Sequence, residues 1–251
     1  QGQAGLPSRM GQRLEDAAVL PVAADTRALV IVRSPNRAEI FRTQLEERLA
    51  LPQLGGEGRL EVEMRWFGSQ AESLRLLLSR MDAAERRRFV AVGYEQQYES
   101  CRLLGEFEIS DDRRHNELTI RARFALPLLA RALGENWAVA FAANLGDALD
   151  MPALHGRRFA LALPSYPLTH RYQIEMRWPE DVTIDGEPAS SLGETGHVRL
   201  LTTRSVRGNT ETRTVEFSAK VGEGPADEVL RFAADLAEVE GRVGGLMTAS
   251  G

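Results

Sequence analysis

The sequence predicts a mainly β fold, α+β in class, with antiparallel β-sandwich-like regions, a two-helix insertion and a C-terminal helix. Three observations predict it. Stretches such as RLEVEMRWF alternate apolar and charged residues with the period of a half-buried strand. Several such stretches come in pairs around short turn signals, as hairpins do. Two segments with helix-start spacing interrupt the strands, and a third with one apolar stripe follows the last of them.

Residues 1–25 are rich in Gly, Pro, Ala and polar types without sustained periodicity, which predicts a linker or extended arm. Residues 26–150 are expected to form a β-region with inserted helices. It opens with the β-branched run ALVIV, bounded by Ser34-Pro35. Ile40, Phe41, Leu45 and Leu49 then fall at helical spacing. The next stretch, however, sets Leu60, Val62, Met64 and Trp66 on one face against Glu61, Glu63 and Arg65 on the other. Periodicity alone makes the Ile40–Leu49 segment an amphipathic helix. The hairpin across Leu51-Pro52 and Gly55-Gly56, which the family resemblance given below implies, is preferred because a long alternating strand needs a neighbour.

Ser69 with Glu72, and Asp82 with Glu85, each have capping-box spacing. The first helix should bury Ala71, Leu74, Leu78 and Met81; the second, Phe89, Val90, Tyr94 and Gln97. LLGEFEIS and NELTIRARFAL form the next expected hairpin, turning at Asp111-Asp112, and WAVAFAAN another strand, with a short helix or turn over 145–149.

Met151-Pro152 and Gly156 mark the preferred boundary, with one continuous sandwich as the alternative. Residues 151–251 read as a β-sandwich-like region with a C-terminal helix. RRFALALP is extended, HRYQIEMRW alternates, and VTIDGEP is a short strand with a turn. HVRLLTTRSV and TETRTVEFSAKV flank Arg207-Gly208-Asn209 as a long hairpin. A helix opens at Gly224-Pro225, where proline needs no amide partner, and carries Val229, Phe232, Leu236 and Val239 on one face. The glycine-rich tail after Gly241 is expected to fray. EMRW occurs at both Glu63–Trp66 and Glu175–Trp178, but the flanking residues do not match and no duplication is inferred.

At 251 residues, 43% hydrophobic and 27% charged, the chain can build a substantial core. A formal net charge of −5 argues against a general nucleic-acid binder. Positive charge is almost all arginine, with Lys220 the only lysine, a bias that a GC-rich coding sequence explains. No apolar run reaches bilayer-spanning length. The opening Gln1-Gly2 resembles the remnant of a cleavage site, so a missing leader says little about compartment.

Chemistry is sparsely signalled. Cys101, the single cysteine, lies between a helix and a strand in YESCRLLGE and reads as a small core hydrophobe. His115, His155, His170 and His197 lack metal-ligand spacing; His115 reads as a solvated turn residue, and His170 and His197 as exposed strand starts. Asp111-Asp112 suits a turn better than a cation. Ser165 lacks a nucleophile-elbow context, and no phosphate-binding glycine motif occurs. No catalytic, cofactor or metal residue is therefore assigned. Trp66, Trp137, Trp178, Tyr166 and Tyr172 are the candidate ligand platform, if several face outward together.

The order of DAAERRRFVAVGYEQQY, the hairpin LGEFEISDDRRHNELTIRARFAL, the arginine-led RRFALALP, the strand ending IEMRWPED and the helix ADEVLRFAADL resembles bacterial transglutaminase-like proteins carrying the DUF3857 domain. The likeness runs from about Arg27 to Met247 and lies in the region downstream of that family's catalytic core. It implies an exported, periplasmic or envelope-associated parent with a Cys-His-Asp triad elsewhere. The triad motifs find no match here, and no catalytic role passes to Cys101. The resemblance thus implies a non-catalytic accessory or interaction region without cofactor, whose partner is the parent's own catalytic domain or an envelope protein. The alternatives are an independent β-sandwich module that binds glycan or peptide, and a hydrolase with an unassigned acidic site.

Overall fold

A computed structural model describes residues 18–19, 27–31, 41–145, 148, 159–162 and 169–251. In chain order the strands are β1 (Ala18–Val19), β2 (Val30–Ile31), β3 (Phe41–Ala50), β4 (Gly58–Phe67), β5 (Arg102–Leu103), β6 (Glu108–Asp112), β7 (Glu117–Leu126), β8 (Arg131–Leu133) and β9 (Asn136–Ala142). They continue as β10 (Leu161–Ala162), β11 (Thr169–Arg177), β12 (Thr183–Ile184), β13 (Ala189–Glu194), β14 (Val198–Arg207), β15 (Thr210–Ala219), β16 (Glu223–Gly224) and β17 (Gly244–Ser250). The helices are α1 (Ser69–Ser79), α2 (Ala83–Gln97) and α3 (Val229–Glu240).

The mainly β expectation holds, with the two inserted helices and the C-terminal one in place. A nine-stranded sheet runs β13-β14-β15-β11-β3-β4-β7-β5, with β6 also on β7, and a four-stranded sheet runs β12-β17-β9-β8. Strands from both sides of residue 150 are hydrogen-bonded within the larger sheet, because β11 lies between β15 and β3. The β11–β3 pairing is parallel, and among the described strands every other pairing is antiparallel. Most of the expected arm and the expected boundary lie outside the described residues, although Ala18–Val19 pair with Val30–Ile31.

Residues 41–50 form a strand despite their helical spacing. Paired with β4, they place Leu45 opposite Met64 and Leu49 opposite Leu60 on one face, so alternation buries what a helix would also have buried. That face continues through Ile120 and Phe124 on β7, Tyr172, Ile174 and Met176 on β11, and Val215 and Phe217 on β15, all buried. Each such large side chain contributes about 1.5–3 kcal/mol by leaving water. Val139, Met247 and Ala249 of the smaller sheet join the same core. The opposite face of β4 and β7 is polar: Glu63 accepts from both Arg65 and Arg121.

Asp82 and Glu85 form the expected capping box, each side chain accepting the other's backbone N–H at 2.8 Å. Ser69 and Glu72 do not. The chain leaves β4 through Gly68 at φ 56°, a conformation only glycine adopts cheaply, so Gly68 is the N-cap and Ser69 is already helical. The buried face of α2 is Val90, Ala91 and Tyr94, extended by Tyr98; Gln97 points to solvent. Asp111 and Asp112 end β6, and the turn falls on Arg113–Asn116, where Asn116 takes φ 52°.

The C-terminal stripe packs as expected, with Val229, Phe232, Leu236 and Val239 buried. A short 3-10 segment, Ala226–Glu228, precedes that helix, with Pro225 as its N-cap. The tail does not fray. Gly244–Ser250 pairs along β9, and its end also pairs with β12, so backbone hydrogen bonding on both sides outweighs the poor strand propensity of two glycines.

Candidate functional site

The middle of the sheet buries an acid. Glu47 sits on β3 between Leu45 and Leu49, with Ile174 beside it on β11 and Val62 on β4. It is 2% exposed. The Tyr172 hydroxyl donates to it at 2.7 Å, and Tyr94 approaches from α2 as a second hydroxyl donor. Burial pushes the Glu47 carboxyl up to about 7, an effect the two hydroxyls only partly offset. The same burial, reinforced by the charge of Glu47, raises both phenols well above their ordinary range. Tyr98 adds a further hydroxyl, buried and without a hydrogen-bond partner among the described residues.

Cys101 follows α2 and is 8% exposed. Burial, then the nearby Glu95 charge, pushes its thiol up to about 11, so it is a protonated side chain at neutral pH.

A second polar cluster lies where α3 meets β14. His197 precedes β14 and is buried, its ring edge-on to Phe232 at 5.6 Å between centroids. Its Nδ1 is 2.8 Å from Asp235 Oδ2 and its Nε2 is 3.1 Å from Glu228 Oε2. Both ring nitrogens thus face a carboxylate oxygen. His170, also expected at an exposed strand start, is fully buried in β11 with Nδ1 2.9 Å from Thr43 Oγ1. Each correction has its own cause: β11 is an interior strand, and α3 covers the start of β14. His115 is exposed in its turn, with Nδ1 2.7 Å from Asp112. His155 and Ser165 lie outside the described residues.

Among the described residues the aromatic platform does not assemble. Tyr172 and Trp178 are enclosed, at 0% and 1% exposure, Tyr172 on the core face of β11 and Trp178 in the core just past the strand's end. Trp178 is also tied by its backbone to the β14–β15 turn, donating to Asn209 O and accepting from Asn209 Nδ2. Trp66 and Trp137 are half-buried against the core, in different sheets, and Trp137 lies across Gly55. Tyr166 lies outside the described residues.

A groove of about 430 Å³ borders the smaller sheet, lined by Leu128, Leu133, Ala138, Ala140 and Leu246 together with the end of α2 and the exposed Arg131–Glu99 ion pair. Leu133 and Leu246 are each about half exposed, at 56% and 49%. β8 is the edge strand beside it. The sequence reading did not find it; its signal is the alternation of β9, where Val139 and Phe141 face inward and Ala138 and Ala140 outward.

Among the described residues no cluster of three or more His, Cys, Asp or Glu is arranged to hold a metal ion, and no helix is long and apolar enough to cross a membrane. No protein-family model matches the chain, and no curated protein matches it.

Proposed function

We propose that the chain is a non-catalytic accessory region of an exported transglutaminase-like protein, acting by contact with a neighbouring domain of the same polypeptide. The observation that carries this reading is the groove beside β8. Exposed leucines grouped over one groove, next to an open strand edge, are what a docking face presents. The polar residues concentrated elsewhere, around Glu47 and His197, are engaged with one another inside the fold, which suits a supporting role.

The test combines location with contact. Fractionated source cells should show a polypeptide larger than 27.8 kDa in the periplasmic or envelope fraction. A photo-crosslinker at position 246 should capture another part of that polypeptide, and Leu133→Glu should abolish capture. The substitution is at an exposed site and should leave stability within about 0.5 kcal/mol. A cytosolic polypeptide of the fragment's own mass would sink the proposal.

A further inference from the structure

On the β14–β15 side of the larger sheet, three arginines converge. A cleft of about 190 Å³ opens between β13, β14 and β15 on one side and the β9–β17 pair on the other. Its lining includes Arg204, Arg213, Arg242, Ser191, Thr202 and Phe141, and among the described residues no carboxylate lines it.

The three guanidiniums differ in what they have left to offer. Arg204 is committed: Nε donates to Glu211 Oε1 at 2.7 Å, one terminal nitrogen to Glu187 O at 2.8 Å and the other to Asp185 O. Arg213 donates from Nε to the same Glu211 oxygen at 2.7 Å and from Nη2 to Leu246 O at 2.8 Å, and lies 5.0 Å over the Phe141 ring. Its Nη1 makes no hydrogen bond among the described residues. Arg242 donates from Nη2 to Ser191 Oγ at 2.9 Å, while its Nη1 is 3.9 Å from Glu238 Oε1, beyond hydrogen-bond reach. That Nη1 rests over residue 193, where any Cβ would come within 2.5 Å of it. Gly193 therefore leaves β13 open for the guanidinium.

Arg204 and Arg213 share one buried carboxylate, Glu211; Asp185 and Glu187 add negative charge near Arg204, and Arg242 has a loose contact with exposed Glu238. These carboxylates stay outside the lining, so the guanidiniums give the partly enclosed cleft a positive wall. Guanidinium forks match the oxygens of phosphate and sulfate, and the Ser191 hydroxyl, which accepts from Arg242, keeps its own O–H as a neutral donor; the Thr202 hydroxyl donates to Ser191 O. The volume is below that of sites for drug-sized ligands, so it suits one such group.

We propose that this cleft binds a single phosphate- or sulfate-type oxyanion, held by Arg213 and Arg242 with the Ser191 hydroxyl. Arg204 and Glu211 position Arg213 without touching the ligand. The site is independent of the accessory-region reading.

Calorimetric titration with inorganic phosphate, sulfate and phenyl phosphate, at ionic strength held constant with chloride, tests it. Saturable binding is expected, weakened about tenfold or more in Arg242→Gln and by a smaller factor in Ser191→Ala. The Arg242 side chain is 37% exposed, so the melting temperature of ligand-free Arg242→Gln should stay within a few degrees of the parent. Tighter binding of phenyl phosphate identifies an oxyanion carried on a larger molecule; tighter binding of inorganic phosphate identifies the free ion. Absence of saturation with all three anions, or affinity unchanged in a folded Arg242→Gln protein, would overturn the proposal.

Discussion

Glu47 and Glu211 lie on the same face of the same sheet, at 2% and 0% exposure, and are accommodated in opposite ways. Glu47 meets hydroxyls, which bring dipoles but no charge. Desolvation wins there, and its carboxyl rises to about 7. Glu211 meets the guanidiniums of Arg204 and Arg213, which supply opposite charge directly. Arg213 stands in the same cross-strand row as Glu47, with Ile174 between them. One apolar side chain thus separates an acid near its titration point from an arginine of the ion-pair network around Glu211. A buried carboxylate is decided by its immediate neighbours, not by the sheet that carries it.

The largest effect should come from breaking the paired side. Glu211→Ala leaves two guanidiniums facing each other across β14 and β15, and urea unfolding should show a loss of about 3–5 kcal/mol. A loss below about 1 kcal/mol would mean that solvent, not Glu211, satisfies the arginines.

On the unpaired side the effect depends on pH. The folded carboxyl of Glu47 titrates near 7, against 4.5 for the ordinary group, so below about 4.5 folded and unfolded chains both hold the proton. Between those values only the folded chain holds it, and stability falls as pH rises, by roughly 3 kcal/mol in all. Glu47→Gln keeps the shape and should remove this slope, making the variant more stable than the parent at pH 8 and similar at pH 4.5. Parallel pH profiles for parent and variant would refute the assignment.

Tyr172→Phe deletes the 2.7 Å hydrogen bond without opening space. It should cost about 1–2 kcal/mol and raise the Glu47 titration further, readable by carboxyl NMR. Asp82→Ala removes the cap of the helix that carries Tyr94, and should cost about 1 kcal/mol with no change in the pH slope. A changed slope there would show that Tyr94 is placed by the helix start rather than by core packing.

Strands whose two faces differ were readable from residues alone, RLEVEMRWF above all, because a half-buried strand writes its period into the chain. The Asp82–Glu85 cap was readable for the same reason: both partners are local. β13, Ala189–Glu194, was missed because ASSLGE is mostly exposed and has no apolar face to alternate. The His197 cluster was missed because Glu228 and Asp235 lie 31 and 38 residues away on another element. Glu47 was partly visible, as the charge between Leu45 and Leu49, but those leucines also fit a helix, and on a helix Glu47 would not share their face. Arg204, Arg213 and Arg242 belong to a chain full of arginine, and only strand register singles them out.

The parallel contact between β3 and β11 sets an order of assembly. β3, β4 and β7 are joined through antiparallel pairings with one helical insertion and can form early, whereas β11 must return across more than a hundred residues before it lies beside β3. Closing so long a loop is slow compared with forming a hairpin. Until it closes, the β3 edge is unpaired and Glu47 is open to water, free to ionise. Refolding from denaturant should therefore end in a late step that takes up a proton near pH 6, a signal that a pH indicator can follow in real time.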